Sequence, residues 1–249
     1  MSTEKKLLIV NADDYGRTPE ICNGILECAK AGLVRSTTVM SNHVRESDLE
    51  SLLTSRLSAG LHFNLTSGKP IAPWDGQLLS EDGKFRRKPP EDLPVEFIEA
   101  ELEAQWDYLA LRGLHLTHID SHHHIHAQAA VFAVVASFAI RRGVPVRSCD
   151  DAIRMRLKRL GIPTTERFNA DFYGENHVTP KGILQILDLS DCASLEIMCH
   201  PGFNSTELKS ESTYSGEREL ELSVLTDPFL IEAVNGRGWT PGSFGDLEE

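Results

Sequence analysis

Aspartate and histidine recur along this chain in four short clusters, each at or near the end of an apolar run. Asp13-Asp14 follows Leu7-Leu8-Ile9-Val10-Asn11-Ala12, and His62 lies in Gly60-Leu61-His62-Phe63-Asn64. The run His118-Ile119-Asp120-Ser121-His122-His123-His124-Ile125-His126 crosses from apolar to polar surroundings, and His200 stands in Cys199-His200-Pro201-Gly202. Imidazole nitrogen and carboxylate oxygen are the ordinary ligands of zinc and similar divalent ions. Two histidines with one carboxylate leave coordination positions open for water and substrate, which catalysis requires.

Taken singly, most of these residues have plainer explanations. An Asp pair suits a turn or a helix cap, a lone His in a strand suits a hydrogen-bonded core position, and His before Pro-Gly suits a loop. The histidine run resists such an explanation, because each buried imidazole must be desolvated or paired. Adjacent carboxylates also point different ways, so one can bind a metal while its neighbour stays free as a base. Residue types alone leave open which histidines of the run bind; in a helical stretch His122 and His126 would share a face. The spare Asp and spare His fit hydrolysis better than a redox iron site.

The elements that must position these residues alternate between short apolar runs and helical stretches. Leu7–Ala12, Ser36–Asn42, Ala59–Thr66, His115–Asp120, Val144–Ser148 and Leu195–Cys199 read as strands. Thr18-Pro19-Glu20 opens a helix with a capping side chain and a first-turn proline, and Gly32 closes it. Further helices are expected at Asp48–Leu57, Val95–Arg112, Ala127–Arg142, Pro180–Leu187, Glu217–Val224 and Pro228–Asn235, with Asp150–Thr179 less regular. Ser67–Pro94 is too long for an ordinary connection, and loops of this length are usually functional or mobile. Successive strand–helix units imply parallel strands with right-handed crossovers. No polar linker divides the chain. The expected fold is therefore an α/β single-domain irregular (β/α) TIM-like barrel over residues 1–249, a length such barrels commonly have. In that architecture catalytic side chains gather at the carboxyl ends of the strands, where all four clusters fall.

Composition narrows the partners. With 25 Lys plus Arg against 37 Asp plus Glu, the formal charge of −12 disfavours nucleic acid and anionic membrane surfaces. The sole basic cluster, Arg86-Arg87-Lys88, reads as a solvated loop face. The apolar run after MSTEKK is too short for a signal-peptide core, and nothing approaches a membrane span of ~18 apolar residues. Five scattered cysteines without a CxxC pair suit reduced thiols and a cytoplasmic location.

Four motifs together carry a family resemblance: Asn11-Ala12-Asp13-Asp14-Tyr15-Gly16, Gly60-Leu61-His62-Phe63-Asn64-Leu65-Thr66, Thr117-His118-Ile119-Asp120-Ser121-His122-His123-His124, and Glu196-Ile197-Met198-Cys199-His200-Pro201-Gly202-Phe203. The sequence resembles the YdjC family of carbohydrate deacetylases, and most closely its chitooligosaccharide deacetylase branch, from about Leu7 to Gly242. That resemblance implies one divalent metal, magnesium or zinc, on Asp14, His62 and His122. It also implies Asp13 as catalytic base and His200 as acid, with the part of His124 and His126 left open. The expected activity is hydrolysis of the N-acetyl group of chitobiose- or chitotriose-type oligosaccharides, releasing acetate. A small oligosaccharide is the expected partner, with Trp74 or Tyr173 as stacking surfaces, and a homodimer is compatible with the family. Two alternatives stand beside it. Another metal-dependent barrel hydrolase would need a second metal or a basic phosphate clamp, and these motifs contain neither Arg nor Lys. A non-catalytic, metal-retaining sugar-binding or regulatory protein would not need Asp13 and His200 as well as three ligands.

Overall fold

The computed structural model describes residues 6–74, 78–89, 93–205, 208–209 and 214–247. Seven parallel strands form one curled sheet: β1 (Lys6–Tyr15), β2 (Ser36–Val39), β3 (Ser58–Phe63), β4 (Leu116–Ser121), β5 (Arg167–Asn169), β6 (Ser194–Cys199) and β7 (Trp239–Gly242). Their order is β4-β3-β2-β1-β6-β5, with β7 pairing the first residues of β1 (Lys6–Ile9) and β2 its later ones. Helices α1 (Pro19–Ala31), α2 (Glu46–Leu53), α3 (Val95–Ala110), α4 (Ala129–Arg142), α5 (Asp151–Arg159), α6 (Pro180–Leu189), α7 (Gly216–Leu225) and α8 (Pro228–Gly236) connect the strands. This is the irregular (β/α) barrel expected from the alternating pattern.

Local chemistry sets the element ends. Thr18 Oγ1 accepts from Ile21 N at 3.4 Å to cap α1, and Gly32, at φ 96°, ends it in the left-handed region that favours glycine. Asp150 caps α5 in the same way, accepting from Ile153 N at 2.7 Å. That helix, β5 and β7 were not expected. The segment around α5 is strongly polar, with only Ile153 and Leu157 buried, and β7 contains Pro241, which argues against a strand. The strand expected at Val144–Ser148 is reduced to one bridge, Ile119 to Val146. Pro145 has no amide hydrogen to extend a ladder. The sheet is therefore curled rather than closed by a continuous ladder among the described residues.

The parts of the Ser67–Pro94 segment that are described pack on α3. Glu101 of α3 accepts from Ile71 N and Ala72 N, at 3.0 and 2.7 Å, and Phe85 and Trp74 lie against Phe97.

Candidate metal centre and active site

Strict alternation along β1 would send Asp13 and Asp14 to opposite faces of the sheet. The β1–β2 register slips between Ala12 and Tyr15, and Asp14 adopts φ 70°. A bulge of this kind re-aims side chains and often lies beside active sites. Here both carboxylates line one cavity of about 510 Å³, together with His62, His122, His124 and His200. A left-handed non-glycine residue costs about 1–3 kcal/mol, so the surrounding structure must hold it.

Asp14 Oδ1 is faced by two imidazoles, His62 Nε2 at 3.5 Å and His122 Nε2 at 3.9 Å. The other nitrogen of each ring is tied elsewhere. His62 Nδ1 lies 2.7 Å from Asp120 Oδ1, and His122 Nδ1 lies 2.7 Å from Thr66 Oγ1. If both Nδ1 atoms donate, both Nε2 lone pairs point at a carboxylate oxygen. That arrangement is repulsive unless a proton or cation lies near them, and Arg17 Nη1, 3.5 Å from His122 Nε2, already stands there as one such charge. Outer partners of this kind set the tautomer of ligating histidines. The three residues therefore fit a divalent ion on the chemistry of their donors. In the metal-free chain a proton fills that place at His62: burial opposes its charge, but Asp120, Asp14 and Asp13 outweigh it and raise its pKa to about 10, so a metal would have to displace that proton. On His122, burial prevails and lowers the pKa to about 2.

A second grouping, Asp13, His62 and Asp120, also places three ligand atoms within 4.8 Å of one another. It fits an ion less well because Arg147 bonds two of its three members, whereas Arg218 takes only Oδ2 of Asp14 and leaves Oδ1 facing both imidazoles. Arg147 Nη1 lies 2.6 Å from Asp13 Oδ2 and 2.8 Å from Asp120 Oδ2. Arg147 Nε reaches Glu196 Oε1 at 2.6 Å. This fully buried guanidinium thus holds three carboxylates across the barrel interior. Burial alone would raise the pKa of Asp13, but Arg147 holds the carboxyl well below the usual range.

His200 follows β6 and places Nε2 4.0 Å from Asp13 Oδ2. Burial lowers its pKa to about 4, against the pull of Asp13 and Asp14. Its Nδ1 has no hydrogen-bond partner among the described residues, so backbone contacts hold the residue instead: His200 N donates to Glu221 Oε2 at 2.5 Å.

The histidine run does not form one helical face. His123 and His124 are left-handed, at φ 55° and 51°, inside a 3-10 turn over His122–Ala127. His126 turns to Ser121 Oγ, 2.5 Å away, and does not line the cavity, whereas His124 does. His118 stacks on Phe244 with centroids 4.0 Å apart and belongs to the core. Tyr173 lines the cavity, 46% exposed and stacked on Tyr214 at 4.1 Å, while Trp74 packs away from it on Phe97.

Three arginines complete the site although no motif contains one. Besides Arg147, Arg218 Nη2 lies 2.5 Å from Asp14 Oδ2, and Arg17 Nη1 lies 3.7 Å from the same atom. One signal for Arg218 was present: it falls at spacing i, i+4 and i+7 with the buried Leu222 and Leu225 of α7. Arg147 falls in the segment expected as a strand, Val144–Ser148, where a single arginine gives no pointer to its distant partners.

The fold and the site define a parallel (β/α) barrel with an Asp/His centre at the carboxyl ends of its strands. The chain belongs to the YdjC-like protein family, whose model matches residues 7–235. A chitooligosaccharide deacetylase from Enterobacter sp. (strain 638) is 40% identical, over 97% of this chain and 99% of that protein. One from Serratia marcescens is 39% identical, over 98% of this chain and all of that protein. A crystal structure from Enterococcus faecalis V583, provisionally described as a cellobiose-phosphate cleavage protein, superposes with a TM-score of 0.89 at 31% identity. It covers 98% of this chain and 100% of that one. A family 4 carbohydrate esterase from Streptomyces lividans shares the fold, with a TM-score of 0.56 at 11% identity over 96% of this chain and 93% of its own.

Proposed function

We propose that the protein is a metal-dependent N-deacetylase of short N-acetylglucosamine oligosaccharides of the chitobiose or chitotriose type. The observation that carries this reading is the pair of imidazole Nε2 atoms facing one oxygen of Asp14. The names of the relatives at 40% and 39% identity support the substrate class. Asp14, His62 and His122 would hold one divalent ion, zinc or magnesium, the two imidazoles favouring zinc. Bound there, such an ion would acidify a water and polarise the acetyl carbonyl.

The remaining steps belong to the chain itself. Asp13, kept ionised and fixed by Arg147, takes a proton from the water as it attacks the carbonyl carbon. The proton that Asp13 has taken then goes to the sugar nitrogen as the C–N bond breaks, because an unprotonated amine is a poor leaving group. His200, kept neutral by burial with Nε2 4.0 Å from Asp13 Oδ2, serves as the relay, taking that proton and passing it to the nitrogen. Acetate and an amino sugar leave. Tyr173, exposed at the cavity wall, offers a flat face to a sugar ring.

A second reading has one observation behind it. Arg17, Arg87 and Lys209 line the same cavity, which suits a phosphorylated disaccharide of the kind named for the Enterococcus neighbour. Acetate release from diacetylchitobiose, its phosphorylated form and longer chitooligosaccharides, with and without chelator, tests both. Chelator-sensitive release supports the deacetylase. Absence of release under every divalent metal overturns it.

A further inference from the structure

Helix α7 presents an unusual face to the core. Its buried residues are Arg218, Glu221, Leu222 and Leu225, so two ionisable side chains occupy an otherwise apolar stripe. A buried guanidinium is tolerated only when it is well paired, and Arg218 engages all three of its nitrogens. Nη2 donates to Asp14 Oδ2 at 2.5 Å, Nη1 to the carbonyl oxygen of His200 at 3.3 Å, and Nε to that of Tyr214 at 3.1 Å. Glu221, one turn on, accepts from His200 N and from Tyr214 Oη, each at 2.5 Å. The chain after His200 is held on both sides. Gly202 N donates to Arg218 O at 3.2 Å, and a Cβ on Gly24 of α1 would come within 2.5 Å of Gly202 Cα. One side chain therefore joins Asp14, at the end of β1, to the backbone of His200, at the end of β6.

We propose that Arg218 is a positioning residue with two effects. It occupies Asp14 Oδ2, leaving Oδ1, the oxygen that both imidazoles face, as the single free ligand atom. It also fixes the spacing between that carboxylate and His200, the two ends of the site that must act on one substrate. This inference rests on the metal-centre reading above and adds to it a residue outside every recognised motif.

The test uses cobalt(II) as a visible probe, alongside kinetics on diacetylchitobiose, for the wild type, Arg218→Gln, Arg218→Lys and His122→Ala. Arg218→Gln removes a positive charge beside the centre and frees Asp14 Oδ2. It should bind cobalt at least as tightly as wild type and show an altered visible band. Its kcat should fall roughly 10–100-fold, the usual cost of losing an outer partner, with KM little changed. Arg218→Lys keeps the charge without the planar fork and should recover part of kcat; it also carries the test if the Gln variant does not fold. Two results would overturn the proposal: a folded Arg218→Gln with wild-type band and kcat, or cobalt binding and thermal midpoint falling together in both variants, which would mark a scaffold residue. Failure of the underlying reading looks different. Wild type would then show no cobalt band that His122→Ala removes, and the proposal would fall with it.

Discussion

Arg147 holds both carboxylate oxygens of Asp13, at 2.6 and 2.7 Å, from a segment 134 residues away in the chain. The pairing keeps Asp13 ionised and aimed, and in the proposed mechanism Asp13 is the base and not a ligand. Asp13→Asn should therefore leave metal stoichiometry intact while cutting turnover by roughly 10²–10⁴-fold. It should also lower the thermal midpoint, because a buried arginine loses a charged partner. Metal content of the purified variant is the deciding measurement, and a folded Asp13→Asn without metal would reassign Asp13 as a ligand.

Thr66 Oγ1, 2.7 Å from His122 Nδ1, sets which nitrogen of that ring faces Asp14. Thr66→Val keeps the shape and removes the hydroxyl. Metal affinity should weaken roughly 10–100-fold in competition with a chromophoric chelator. Wild-type affinity in this variant would show that the hydroxyl does not orient His122.

Tyr173 and Trp74 should separate by kinetics. Tyr173 is 46% exposed at the cavity and Trp74 is packed on Phe97, so only the first can meet a sugar. Tyr173→Ala should raise KM by roughly 2–10-fold, the worth of one aromatic contact, with kcat nearly unchanged. Trp74→Ala should lower the thermal midpoint and leave KM alone. A rise in KM for the Trp74 variant instead would move the sugar platform into the long segment.

Glu221 gives the protein a pH signature. Burial raises its pKa to about 8, despite the bonds from Tyr214 and His200 N and the nearby charge of Arg218. The folded state thus keeps a proton that the unfolded chain releases near pH ~4.3. Stability from this group is full below that lower value and is lost as pH rises towards about 8. Thermal midpoints measured across that interval should slope less steeply in Glu221→Gln than in wild type. Equal slopes would show that Glu221 titrates normally.

Much of the scaffold was legible because its signals are local. The apolar run from Leu7, the Thr18-Pro19 cap, Gly32 and the helix at Val95 all announce themselves within a few residues, and each stands close to its expected place. Elements held mainly by distant contacts were missed. β5 is three residues long and β7 contains a proline, so each depends on the strand it joins. The turn at His123 and His124 was missed for a related reason, since two left-handed histidines run against residue preference and need tertiary support.

The sequence by itself determined the chemical types: carboxylates and imidazoles at strand ends, in motifs specific enough to indicate the family. Tertiary structure decided which atoms meet. The bulge at Asp14 brings two adjacent carboxylates into one cavity, Thr66 and Asp120 fix which nitrogen of each imidazole faces Asp14, and Arg147 and Arg218 arrive from distant parts of the chain. Side-chain direction follows from backbone dihedrals and from partners far along the chain, and neither is written in the spacing of a motif.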